Sequence, residues 1–155
     1  MQTHQTRRRV GAIVGTAMVG LAAALAVVFS VSAGKGDAAA ADEPQQLAVL
    51  WTSGDPEVAH RVALMYTHGA ARQGWFDQVR LIVWGPSARL LAADKDVQAY
   101  VARLKEAGVH VQACVVCADS YGVTEKLREL DLEVKAMGRP LTDYMQDDAW
   151  DVLTF

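Results

Sequence analysis

From residue 47 onward the chain alternates between short apolar runs and longer stretches with helical spacing. Residues 47–52 (LAVLWT), 78–84 (QVRLIVW) and 109–113 (VHVQA) are brief and rich in β-branched or large apolar side chains, so they read as buried strands. Residues 132–136 (LEVKA) alternate apolar and polar positions and read as a fourth strand, and 150–155 (WDVLTF) as a closing one. Between the first two runs, Ser53-Gly54-Asp55-Pro56-Glu57 is a turn into a helix. Asp55 can cap it, Pro56 suits its first position and Glu57 complements its dipole. Val58, Val62, Met65 and Tyr66 then recur at helical spacing, and Gly74 stops the helix after Gln73. Gly85-Pro86 ends the second strand, and 87–92 form a short helix or turn. Asp94 caps a helix whose buried stripe is Val97, Tyr100, Val101 and Leu104, and Gly108 closes it. After Cys117 the chain turns helical, with a break near Gly122. Thr124 is placed to cap 125–130, and Leu141, Tyr144 and Met145 predict one more short helix.

Strand and helix thus alternate throughout. That order predicts an α/β fold, a three-layer sandwich with a mostly parallel sheet of about five strands and helices on both faces. Functional groups of such sheets gather at the carboxyl ends of the strands. Trp51 and Ser53, Trp84 and Gly85, and Cys114 occupy those ends, so they are expected to form one rim, with Gly122 nearby.

The N-terminal third has a different pattern. Arg7-Arg8-Arg9 precede a run from Val10 to Ala33 without a charged residue. Residues 1–33 therefore read as an export signal or an N-terminal membrane anchor; both readings fit the length of the run. The arginines keep the N-terminus in the cytoplasm either way, which predicts a periplasmic or other extracytoplasmic domain. Any membrane contact is expected through this segment alone. Residues 34–46 are Ala-rich and polar, and read as a linker.

Charge narrows the partners. Arg7, Arg8, Arg9 and Lys35 are four of the 15 basic residues, and Asp37 is one of the 18 acidic ones. From Asp42 onward 11 basic residues therefore face 17 acidic ones. A domain this acidic lacks the electrostatic footprint of a nucleic-acid binder. Asp143, Asp147, Asp148 and Asp151 read as a solvated acidic face, and helix capping accounts for Asp55 and Glu57.

The stretch VHVQACVVCADSYG holds the candidate chemistry. Its Cys114 and Cys117 are the chain's two cysteines, and they stand where a strand runs into a helix. A helix N-terminus lowers a thiol's pKa, and the thiolate is the reactive form. The plain alternative for Cys114 is an inert core cysteine. Cys117 reads as a resolving thiol, a second sulfur site or a core residue. The two-residue gap is that of thioredoxin-type redox motifs, without their usual Trp and Pro. Trp51 and Trp84 read either as walls of a pocket beside Cys114 or as packing at the sheet rim. A zinc site needs about four ligands, and His60, His68 and His110 have no motif spacing from the cysteines, so no metal is expected. No cofactor is expected either, since no phosphate loop, Ser/His/Asp order or dinucleotide fingerprint occurs.

Residues 47–155 resemble the DsrE/DsrF-like sulfur-relay family. The marks are Thr52–Pro56 (TSGDP) after the first strand, Trp84-Gly85 at the end of the second, Ala113–Asp119 (ACVVCAD) with Gly122-Val123 following, and the final DVLTF. YchN-like members have two cysteines at this spacing and a glycine five residues after the second. TusD-like members keep one cysteine at the position of Cys114. Relay members have a basic residue just before that glycine, where this chain has Ser120-Tyr121. The resemblance implies a small α/β sandwich assembled as a trimer or hexamer. It also implies a cysteine persulfide on Cys114, exchanged with other sulfur-handling or thiol proteins; beside it Cys117 keeps its reading as a resolving thiol. A role as a non-catalytic oligomeric module, with a structural Cys114–Cys117 disulfide, is the alternative.

Overall fold

Burial of apolar side chains on both faces makes Gln46–Trp51 an interior strand, β1, of the computed structural model, which describes residues 45–155. The expected export segment and nearly all of the linker lie outside the described residues. Gln46, given to the linker, is instead the first residue of β1. Asp55 then caps α1 (Pro56–Val58) as its sequence predicts. Its Oδ1 accepts from the N–H of Glu57 at 2.7 Å and of Val58 at 3.3 Å. A π-helical turn, Ala59–Ala63, links α1 to α2 (Leu64–Gln73). Gly74 ends that helix in the left-handed region at φ 62°, where glycine carries no steric penalty.

The chain continues through β2 (Gln78–Val83), α3 (Pro86–Ala93), α4 (Lys95–Glu106), β3 (His110–Cys114), α5 (Val115–Ser120), α6 (Thr124–Glu129), β4 (Glu133–Lys135), α7 (Gly138–Gln146) and β5 (Trp150–Thr154). Among the described residues no helix is long and apolar enough to cross a membrane.

The five strands form one sheet in the order β4-β3-β2-β1-β5, and every pairing is parallel. The expected mostly parallel sheet is thus wholly parallel. Its order has a direct consequence for the layers. The crossovers β1→β2→β3→β4 all step the same way, and right-handed crossovers put their helices on one face. The last connection leaps back past β1 to the far edge, so α7 alone lands on the other face. The side chains follow. Leu47, Val49, Trp51, Leu81, Val83, Val111 and Ala113 point into the main core beneath α2 to α6. Ala48, Ile82 and Cys114 point the other way, into a smaller cluster with Met137 and α7's Leu141 and Tyr144. Both faces carry helices, very unequally.

Candidate functional site

Register brings the strand ends into line. Trp51 pairs with Val83 and Val83 with Ala113, so these three share a row directed into the main core. Cys114 is one position further and faces the α7 side. Trp51 is therefore fully buried on the opposite face from the cysteines and forms no wall beside them. Trp84 does lie with them, in the cluster of Ala48, Ile82, Met137, Cys114 and Cys117. Of the expected rim, the structure thus brings together Trp84, Gly85 and Cys114, and Cys117 joins them. Ser53 turns back on its own loop and accepts from the Asp55 N–H at 3.1 Å. Gly122 follows α5, its N–H donating to the Asp119 carbonyl at 3.0 Å.

Cys114 is the last residue of β3 and the residue before α5, so α5 starts three residues earlier than the sequence suggests and Cys117 lies inside it. Both thiols are free. Cys114 is only 3 % exposed, the burial that goes with its plain alternative as a core cysteine. The cause is its parity on β3, which turns it under α7 and Met137. Cys117, one helical turn on, is half-buried. Burial pushes the Cys117 thiol upward from its ordinary value, and a hydrogen bond with Cys114 adds to the shift. The backbone N–H of Gly85 donates to Cys117 and pulls the other way. Gly85 stands at φ 67°, ψ −134°, a combination essentially confined to glycine. Ser87 fixes that turn from a fully buried position. Its Oγ donates to the Trp51 carbonyl at 2.6 Å and accepts from the Trp84 N–H at 3.0 Å.

Beside the thiols lies a polar chain that sequence reading missed. Arg80 Nη1 donates to Tyr144 Oη at 2.8 Å, and Tyr144 Oη donates to Gln112 Oε1 at 3.1 Å. Gln112 Nε2 donates to Glu133 Oε2 at 2.6 Å, and Lys135 Nζ meets Glu133 Oε1 at 2.7 Å. Arg80 also lies over the rings of Tyr144 and Trp150, at 5.4 and 4.9 Å from their centroids. Gln112 is fully buried, and its place between Val111 and Ala113 was the one sign in the sequence. This chain pins α7 to the sheet and so helps roof Cys114.

The histidines lie elsewhere. His60 and His68 each stand 5.9 Å from the Tyr100 ring, and His110 Nε2 lies 3.0 Å from Glu133. Among the described residues no three His, Cys, Asp or Glu side chains gather as metal ligands would. Asp143, Asp147, Asp148 and Asp151 are exposed.

Chemically, the site is a pair of adjacent thiols, one roofed and one reachable, with an amide donor at the reachable sulfur. Such a pair can take part in thiol or persulfide exchange.

The fold has solved counterparts. A conserved protein of unknown function from Bacteroides thetaiotaomicron, BT1422, aligns at 28 % identity with a TM-score of 0.69, covering 75 % of this chain and 99 % of its own. The ychN protein from E. coli shares the fold at 17 % identity and a TM-score of 0.57, covering 72 % of this chain and 99 % of its own. No curated protein matches the chain. The model of the DsrE/DsrF-like family matches residues 26–155. The chain belongs to the DsrE/DsrF-like family, which is associated with sulfur relay.

Proposed function

We propose that this protein carries sulfane sulfur as a cysteine persulfide on Cys114, with Cys117 as its partner thiol. The observation that carries the reading is the pair of free thiols packed in one cluster at the carboxyl end of β3. Family membership supports the class of chemistry, and the adjacent thiols supply what a transfer needs. A thiol attacks the outer sulfur of a donor persulfide, keeps that sulfur and releases the donor as a thiol.

Two further features belong to the same proposal. The domain works outside the cytoplasm, supported by Arg7-Arg8-Arg9 and the uncharged run that follows them. It assembles as a homo-oligomer, a trimer or hexamer, and exchanges sulfur with other thiol proteins. Support for assembly comes from the α7 side of the sheet, where half-buried Leu50, Trp84, Trp150 and Val152 lie under one short helix.

The test is mass spectrometry of the reduced protein after incubation with inorganic polysulfide. The expected product carries the mass of one added sulfur on Cys114. A wild-type protein whose added sulfur is found on Cys117 and never on Cys114 defeats the assignment. A wild-type pair that neither loads nor reacts with iodoacetamide points instead to the structural role.

A further inference from the structure

We infer that sulfur arrives at Cys117 and is then handed inward to Cys114, so that the two thiols work in series, the outer one receiving and the inner one storing. This rests on the reading that the pair carries sulfane sulfur, and it adds the order and the route.

Access sets the order. Cys114 keeps 3 % of its surface, closed in by Ala48, Ile82 and Met137, with Trp84 and Leu141 packed around them. A donor the size of a protein cannot bring a persulfide to bonding distance of a sulfur roofed in this way. Cys117 is half-buried and stands next to Val116, whose side chain is 68 % exposed. The outer thiol is thus the one a partner's persulfide reaches first.

Contact sets the route. Cys114 closes β3 and Cys117 lies in the first turn of α5, packed in the same cluster, so a sulfur added to Cys117 lies beside the inner thiol. The Gly85 amide favours the Cys117 thiolate, which is the form that attacks the donor and the form released when the sulfur moves inward. Its aim is built in. The φ 67°, ψ −134° backbone of Gly85 is held between Trp84 and Pro86, and buried Ser87 ties the same turn to the ends of β1 and β2.

The chemistry balances without an oxidant. In the first step Cys117–SH and the donor R–S–SH give Cys117–S–SH and R–SH. The donor's S–S bond breaks, a new one forms on Cys117, and the departing thiolate takes the proton. In the second step Cys114–SH and Cys117–S–SH give Cys114–S–SH and Cys117–SH. Attack at the outer sulfur moves that atom inward and restores the Cys117 thiol. Attack at the inner sulfur would instead leave a Cys114–Cys117 disulfide and expel sulfide.

The experiment uses the full-length reduced protein and a sulfurtransferase loaded from thiosulfate as the bulky donor. Reactions are quenched with iodoacetamide at successive times, and fragmentation spectra assign the added sulfur to one cysteine or the other. Sulfur is expected on Cys117 first and on Cys114 later, without stoichiometric sulfide release. Cys114→Ser should stall with sulfur on Cys117. Cys117→Ser and Cys117→Ala should each load Cys114 at least about tenfold more slowly from this donor, because the accessible attacking thiol is gone. Circular dichroism checks that all three variants fold, and iodoacetamide footprinting of the unmutated protein repeats the ordering without any substitution. Sulfur appearing first on Cys114, unchanged Cys114 loading in a folded Cys117 variant, or stoichiometric sulfide with a disulfide would overturn the serial route while leaving a persulfide carrier standing. A wild-type protein that takes no sulfur on either cysteine would remove the carrier itself.

Discussion

At Cys117 two influences oppose each other. Desolvation and the Cys114 thiol favour the neutral form, while the Gly85 amide favours the anion, and the net displacement is upward. A raised pKa means a smaller thiolate fraction at neutral pH. The alkylation rate of Cys117 with iodoacetamide, resolved from that of Cys114 by fragmentation spectra, is therefore expected to reach half its maximum above about pH 8.5, the midpoint of an ordinary thiol. A plateau well below that pH would contradict the opposition described. Glu133 moves the other way. The Lys135 ammonium, then Gln112, hold its carboxyl below the usual range. A depressed carboxyl stabilises the fold above its unfolded pKa and loses that stabilisation as pH falls through the folded one. Glu133→Gln should thus flatten part of the loss of stability below about pH 4 seen in urea melts. Its carboxylate is more than a third exposed, so the effect is small. The sequence marked both cysteines because a strand end next to a helix is a local pattern. How deep Cys114 sits was not legible, since Trp51 and Cys114 look alike as strand-end residues. Their faces differ by the register of β1, β2 and β3, and the roof over Cys114 comes from α7, more than twenty residues later.

Among the elements, those with strong local signals matched their sequence closely. Asp94 is the best case. Its Oδ1 accepts from the N–H of Asp96 at 2.9 Å and of Val97 at 3.1 Å, opening the helix that places Val97, Val101 and Leu104 in the core. Asp94→Ala should lower unfolding free energy by about 1 kcal/mol in denaturant titrations, with the slope unchanged. No loss would mean that packing alone fixes the start of α4. Thr124 shows the limit of such signals. It was expected to cap α6, yet Val123 holds that position and the Thr124 hydroxyl instead donates to the Asp119 carboxylate. A hydroxyl near a helix start has two available partners, and a carboxylate on the preceding helix won. The segment 87–92 left helix and turn open, and it belongs to a helix because Pro86 starts it and Ser87, Ala88 and Leu91 bury one side. Strand limits shifted by one residue at most ends: β1 takes in polar Gln46, while apolar Trp84 and Val109 lie just outside β2 and β3.

For the molecule as a whole, alternation of strand and helix was enough to foresee a layered parallel sheet. The uneven split of helices between its faces was not foreseeable, because it follows from the strand order, which no local pattern encodes. That split predicts uneven stability. The nine-residue α7 buries no residue fully, whereas α4 buries Val97, Val101 and Leu104. Native-state hydrogen exchange should accordingly show α7 amides opening at lower free energy than those of α4. Equal protection in both would mean that α7 yields only with global unfolding.

A covering built from one brief segment also frees the rest of the chain from guarding the buried thiol. Substitutions along α7, or in the Arg80–Tyr144–Gln112 chain that moors it, adjust how often Cys114 is unveiled and leave the large core beneath the opposite face as it is. A lineage, or an engineer, thus has a dial for the lifetime of the stored sulfur that is mechanically separate from whether the protein folds.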